Sequence, residues 1–281
     1  MKKIAILGNR DKPSVLKTVA ELRDWLGRQG EVILDAVSEP APSPGPAGQA
    51  DLICCFGGDG TILSVIHQLT GPLPPIMGIN LGKLGYLAEF SAEELPELLP
   101  AVLAGKVPIS ERMMLRCSVE RSSGAGFCRE AANDVVIAAG PPFRMIELEV
   151  VVGGEALSRI TGDGMIVSTP TGSTAYNLSA GGPIVTGDVQ VHVLTPICPH
   201  SLTFRPLVIA PDRTIEIRVV RANEGTTCSV DGQISTALSE NDVVQITRAE
   251  RQLKLVENPK RTVWDALSEK LHWGHPLRPP A

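Results

Sequence analysis

Long apolar runs are missing from this 281-residue sequence. None approaches the ~18 residues that a membrane-spanning helix needs, so a membrane partner is not expected. Aromatic residues are scarce, at 4% of the chain with three Trp, two Tyr and five Phe. That is too few to build the row of exposed rings on which single-stranded nucleic acid stacks. Positive charge is nowhere concentrated: 26 Lys and Arg stand against 31 Asp and Glu, a net charge of -5, and the longest basic clusters are pairs. Non-specific binding to nucleic acid or to an anionic membrane surface is therefore not expected, and an anionic ligand would need a local site. The six cysteines (Cys54, Cys55, Cys117, Cys128, Cys198 and Cys228) include no C-x-x-C pair, which speaks against a disulfide framework and makes them small buried apolar residues. Met1-Lys2-Lys3 is followed by only Ile4 to Gly8 of apolar chain, shorter than the ~7 to 15 residues of an export signal, so a cytoplasmic location is expected.

What is present is an ordinary globular composition, 43% hydrophobic and 20% charged. The length is about twice the ~150 residues of a typical domain, which points to two domains. The first third alternates continuous apolar strands (Lys3 to Leu7, Glu31 to Val37, Ala50 to Phe56, Pro75 to Ile79) with helical stretches at Val15 to Arg28, Thr61 to Leu69 and Ala92 to Ala104. Unbroken apolar strands between helices indicate a parallel, Rossmann-like α/β sheet covered on both faces. Between the second and third strands, Pro40 to Pro46 carries proline at every other position, which forbids helix and ladder alike and predicts an exposed loop.

After Gly105 the period changes to two. Met113, Leu115, Cys117 and Val119 alternate with polar residues, as do Ile146, Leu148 and Val150, the mark of half-buried strands. Further strands are expected at Met165 to Ser168, Val189 to Leu194, Leu207 to Ile209, Thr214 to Val220, Val243 to Ile246 and Gln252 to Val256, and a helix at Val263 to Leu271. The expected organisation is thus an α/β domain over 1-107, an all-β, sandwich-like domain over 108-262, and a C-terminal helix and tail over 263-281.

Two segments carry chemistry. Gly57-Gly58-Asp59-Gly60-Thr61 directly follows a buried strand and opens a helix. Its glycines let a ligand approach the backbone, its helix-start amides face anionic oxygen, and the carboxylate stands at the carboxyl edge of the sheet. A carboxylate beside phosphate-binding amides is either a metal ligand or a base for a hydroxyl nucleophile. Read alone, the turn could equally be a tight connection with Asp59 capping the helix. Neither a G-x-x-x-x-G-K-[ST] loop nor a G-x-G-x-x-G fingerprint occurs, since Leu63 stands where the third glycine should be. The second segment, Asp163 to Pro183, ends a strand in a hydroxyl-rich turn, Ser168-Thr169-Pro170-Thr171-Gly172-Ser173-Thr174, before a short helix. Hydroxyls so concentrated can cap a helix and also donate to a ligand.

In these blocks, and in Asn80 to Leu87, Asn133-Asp134, Gly181 to Ile184 and Ser229 to Gln233, the sequence closely resembles the NAD kinase family over nearly its whole length. The Gly-Gly-Asp-Gly block is shared with lipid and sugar kinases, whereas Thr169-Pro-Thr-Gly-Ser-Thr-Ala-Tyr176 is nearly diagnostic. The resemblance implies ATP-dependent phosphorylation of the 2'-hydroxyl on the adenosine ribose of NAD, giving NADP. Such a transfer needs a divalent ion on the phosphates, Mg²⁺, the more so with few basic residues near the motifs, and no metal-ligating residues are expected in the chain. The resemblance implies Asp59 as proton acceptor and Gly57, Gly58, Gly60 and Thr61 toward the phosphates of ATP (or polyphosphate). It further implies Asp59, Gly60, Asn133, Asp134, Arg144, Asp163, Thr174, Ala175, Tyr176, Asn177, Leu178, Ser179 and Gln233 as NAD contacts, and a homo-oligomer, dimer or tetramer. Two positions depart from the pattern: Asp134 where relatives carry Glu, and Thr161 where relatives can carry a basic side chain. Competing expectations are a lipid or sugar kinase and a non-catalytic dinucleotide sensor, the latter having no use for a base at Asp59. His67, His272 and His275 have no Cys or carboxylate at ligand spacing and are expected to be structural or solvated, and His200, in a turn after Cys198, is expected to pack.

Overall fold

The computed structural model describes residues 1–38, 45–82, 85–121 and 126–271. Most of the expected Pro40 to Pro46 loop, Lys83 and Leu84 of the Asn80 to Leu87 block, and the tail with His272 and His275 lie outside the described residues. The chain divides into two compact units, Met1–Glu111 with Lys254–Ala281, and Arg112–Leu253.

In the first unit, β1 (Lys3–Gly8), β2 (Glu31–Asp35), β3 (Leu52–Phe56), β4 (Ile76–Asn80) and β5 (Phe90–Ser91) form a parallel sheet in the order β2-β1-β3-β4-β5. Every residue of β3, Leu-Ile-Cys-Cys-Phe, is buried, as expected where helices cover both faces. The helices are α1 (Pro13–Gln29), α2 (Asp59–Gln68) and α3 (Leu95–Leu103). Pro13 suits the first turn of α1, where its missing N–H costs nothing, and Val15, Val19 and Leu26 recur on one face and are buried. They pack with Ile4, Ile6, Phe56, Met77, Ile79 and Phe90 into one core.

The second unit holds β6 (Ile109–Glu120, entering from the first unit), β7 (Phe127–Ala131), β8 (Asp134–Ala138), β9 (Ile146–Val152), β10 (Glu155–Gly162), β11 (Gly164–Ser168), the single turn α4 (Tyr176–Ser179), β12 (His192–Ile197), β13 (Leu207–Ile209), β14 (Ile215–Arg221), β15 (Thr227–Val230), β16 (Ile234–Ala237) and β17 (Val243–Val256). One antiparallel sheet runs β13-β12-β11-β8-β15-β16 and another β10-β9-β14-β17, with β6 beside β17 and β7 beside β6. Ile146, Leu148, Val150 and Ile217 from one sheet meet Val135, Ile137, Met165, Val167 and Cys228 from the other in a single core. This is the expected β-sandwich. The alternating Glu147 and Glu149 instead pair with Arg159 at 3.7 and 3.4 Å.

The structure departs from expectation in several places. Val243 to Ile246 and Gln252 to Val256 are one 14-residue strand, β17. The chain then rejoins the first unit at Lys254 rather than leaving the second at 262, because Leu255 pairs in parallel with Ile76 of β4. The buried Asn258 secures this return by donating from Nδ2 to the Glu89 carbonyl at 3.0 Å, and α5 (Val263–Leu271) follows in the first unit. Cys128 and Cys198 are exposed, not buried like Cys54, Cys55, Cys117 and Cys228, and all six are free thiols. Among the described residues, no helix is long and apolar enough to cross a membrane.

Candidate active site

In the first unit, β3 delivers the chain to Gly57, whose φ of 152° suits glycine and whose hypothetical Cβ would fall 2.3 Å from Thr61 Oγ1. Helix α2 starts at once, with Gly58 as the N-cap residue and no side-chain cap. Asp59 therefore does not cap its own helix. Its Oδ2 accepts from the Tyr86 amide at 2.9 Å, and its Oδ1 accepts from the Leu87 and Ala88 amides at 3.0 Å each. The carboxylate is fixed in orientation at the first turn of α2, where the helix dipole favours a negative charge. Gly85 makes room for it, since a Cβ there would stand 1.8 Å from Asp59 Oδ1.

A residue that no sequence motif flagged completes this cluster. Lys270 of α5 places Nζ 4.0 Å from Asp59 Oδ2 and 4.2 Å from the centre of the Tyr86 ring. Burial pulls the Lys270 pKa down while the Asp59 charge opposes the change. The Tyr86 phenol is pushed up by burial and by Asp59, and among the described residues its buried hydroxyl has no hydrogen-bond partner. Tyr86 thus serves through its backbone amide and ring face.

In the second unit, the turn Ala132-Asn133-Asp134 is held from two sides. Asp231, in the left-handed region at φ 52°, accepts from the amides of Ala132, Asn133 and Asp134 at 2.8, 2.7 and 3.0 Å. From the other side Thr169 donates its amide to the Asn133 carbonyl at 2.8 Å and its hydroxyl to the Ala132 carbonyl at 2.6 Å. Gly172 is so close that a Cβ would lie 2.2 Å from the Asn133 carbonyl oxygen. Asp134, Thr169, Gly172 and Asp231 therefore form one assembly, and Gln233 sits exposed two residues beyond Asp231. Burial, with the neighbouring Asp231 charge, pushes the Asp134 carboxyl up to about 7.

The hydroxyl-rich segment spends several of its groups internally. Ser173 Oγ donates to the Pro170 carbonyl at 2.6 Å and accepts from the Val185 amide at 3.0 Å. Asn177, expected to touch NAD, is fully buried: Nδ2 donates to the carbonyls of Ser173 and Pro183 at 3.0 Å, and Oδ1 accepts from the Thr195 hydroxyl at 2.6 Å. Its side chain is used to close the 173–183 turn. Thr174, Ala175 and Leu178 are half-buried, and Tyr176 and Ser179 are exposed. Asp163 and Arg144 are exposed too, but elsewhere in the unit. Asp163 precedes β11 and Thr169 follows it, a separation of ~20 Å at the rise of a strand. Arg144 belongs to the same end as Asp163: its carbonyl accepts from Asn223 Nδ2 at 2.9 Å, Asn223 Oδ1 accepts from the Gly140 amide at 3.3 Å, and the adjacent Ala139 amide donates to the Asp163 carbonyl at 2.8 Å.

The raised Asp134 carboxyl has a measurable consequence. A group whose folded pKa of about 7 exceeds its unfolded value of 3.8 supports the fold below pH ~4 and withdraws that support as pH rises to ~7. Asp134→Asn is expected to be more stable than wild type at pH 8, on the order of 2–4 kcal/mol, with no advantage near pH 4. Urea unfolding at the two pH values checks this, and an equal difference at both would refute the titration.

A glycine turn with an anchored carboxylate at a strand end, and a hydroxyl-rich turn at another, are features of proteins that bind phosphate-bearing ligands. Known proteins resolve which kind. The sequence profile described as ATP-NAD kinase N-terminal domain matches residues 46–107, and that described as ATP-NAD kinase C-terminal domain matches residues 132–258. The NAD kinase of Geotalea daltonii is 40% identical over 285 residues, covering 98% of this chain and 99% of its own. That of Desulforamulus reducens is 38% identical over 287 residues, covering 99% and 100%. Among solved structures, the yeast NADH kinase complexed with NADH superposes with a TM-score of 0.88 at 26% identity, over 100% of this chain and 90% of that one. An NAD kinase from Archaeoglobus fulgidus in complex with ATP gives 0.76 at 29% identity, over 96% and 98%. The chain belongs to the NAD kinase family.

Proposed function

We infer that the protein transfers the γ-phosphoryl group of ATP to the 2'-hydroxyl of the adenosine ribose of NAD, giving NADP. The observation that carries this reading is the Asp59 carboxylate, fixed by three backbone amides at the mouth of a glycine turn, in a chain that matches NAD kinases over nearly its entire length. Asp59 takes the proton of the attacking hydroxyl, and the Gly57 to Thr61 turn receives the ATP phosphates at the start of α2. Asn133, Asp134 and the exposed part of the Thr174 to Ser179 segment, with Gln233, are assigned to the dinucleotide, and Asp163 and Arg144 to contacts at the other end of β11. The yeast relative holding NADH and the archaeal relative holding ATP support the two substrate classes.

Among the described residues no group of three or more His, Cys, Asp or Glu could hold a metal ion. A divalent ion, Mg²⁺, is proposed as a companion of the ATP phosphates, whose charge it offsets. A cytoplasmic dimer or tetramer is part of the same reading. The test is direct: purified protein with NAD, ATP and Mg²⁺ should form NADP and ADP in equal amounts by chromatography. No NADP at micromolar enzyme would sink the assignment.

A further inference from the structure

The reading above leaves a charge problem in the first unit. The Gly57 to Thr61 turn offers amides and a carboxylate to a triphosphate, and a carboxylate repels phosphate. The charge that answers Asp59 comes from α5. That helix is well secured: Thr262 and Asp265 cap its start reciprocally, with the Asp265 carboxylate accepting from the Thr262 amide at 2.7 Å and the Asp265 amide donating to Thr262 Oγ1 at 3.2 Å. Leu267 is buried, and Arg261 just before the helix pairs with Glu94 at 3.7 Å. From this fixed base Lys270 extends across the Tyr86 ring, which holds the ammonium by its π face at 4.2 Å. At 4.0 Å from Asp59 Oδ2 the ammonium is beyond hydrogen-bond distance. The carboxylate is occupied by the three amides and does not consume the ammonium's donors. The Lys270 side chain remains 27% exposed.

We propose that Lys270 is a catalytic residue, its ammonium contacting the phosphoryl group in transit beside Asp59. The proposal rests on the kinase reading. In the step concerned, the 2'-oxygen forms a bond to the γ-phosphorus and its proton passes to Asp59. The bond from that phosphorus to the β,γ-bridging oxygen breaks, and ADP leaves with the electron pair. Negative charge crosses the space next to Asp59 in this step, and a fixed cation there favours the transition state over the ground state. Burial and the ring hold Lys270 in place before substrate arrives, so little ordering is left for the reaction itself.

The experiment compares wild type, Lys270→Met and Lys270→Arg in two assays: steady-state NADP formation, and calorimetric binding of inorganic tripolyphosphate without NAD. Lys270→Met is expected to lower kcat by ~10² to 10³-fold and weaken tripolyphosphate at least ~10-fold, with the KM for NAD within ~2-fold. Lys270→Arg, which keeps the charge, should recover tripolyphosphate binding to within ~5-fold and serves as the reference if the Met variant melts early. A folded Met variant whose kcat or tripolyphosphate affinity stays within threefold of wild type overturns the proposal, as does a folded Arg variant that binds no better than Met. If wild type binds tripolyphosphate through Lys270 yet forms no NADP, the kinase reading falls and the phosphate contact stands.

Discussion

Asp59→Asn is expected to reduce kcat by ~10² to 10⁴-fold while NAD still binds, because the amide keeps the shape of the carboxylate but cannot accept a proton. The structure adds a second cost. Both carboxylate oxygens of Asp59 accept backbone N–H groups, from Tyr86 on one side and from Leu87 and Ala88 on the other. Whichever way the Asn amide is turned, its NH₂ faces at least one of these donors, at a cost of about 1–3 kcal/mol to the local fold. Steady-state kinetics with calorimetry of NAD binding separates the two effects. A variant that turns over within a few-fold of wild type would remove Asp59 from the chemistry.

Gly172→Ala should have the largest effect in the second unit. The added methyl would meet the carbonyl oxygen, carbon and Cα of Asn133 at 2.2, 2.5 and 2.6 Å, and a backbone neighbour cannot rotate away as a side chain can. The Ala132-Asn133-Asp134 turn must shift against the grip of Asp231 and Thr169, with a loss of about 1–3 kcal/mol in stability. The KM for NAD should rise ~10-fold or more, equivalent to about 1.4 kcal/mol of lost binding. An unchanged KM in a destabilised variant would show that the turn is structural and does not touch the dinucleotide.

How much of this was legible beforehand follows from how local each signal is. The parallel sheet and the glycine turn could be read because β3 is five apolar residues running straight into Gly57-Gly58-Asp59. The strands β8, β15 and β16 could not, since Asp134-Val-Val-Ile-Ala is short and Thr227-Cys-Ser-Val and Ile234-Ser-Thr-Ala are small and polar, with no period to declare them. The anchors of the two turns, one in each unit, were invisible for a different reason. Asp59 meets amides 27 to 29 residues away, and Asp231 meets amides 97 to 99 residues away. Which carboxylate ends beside which backbone is decided by tertiary packing. In the hydroxyl-rich segment, composition cannot tell a hydroxyl or amide facing a ligand from one such as Asn177 or Ser173 that ties the turn to itself.

The way β17 hands the chain back at Lys254 bears on how the molecule is made. The second unit is continuous in sequence, whereas the first is assembled from Met1–Glu111 and Lys254–Ala281. On the ribosome the second unit is fully synthesised before the first has received its last strand pairing at Leu255 and its helix α5. The segment that carries Asp59 emerges first and is finished last. A nascent chain stalled before residue 270 holds the carboxylate without its lysine.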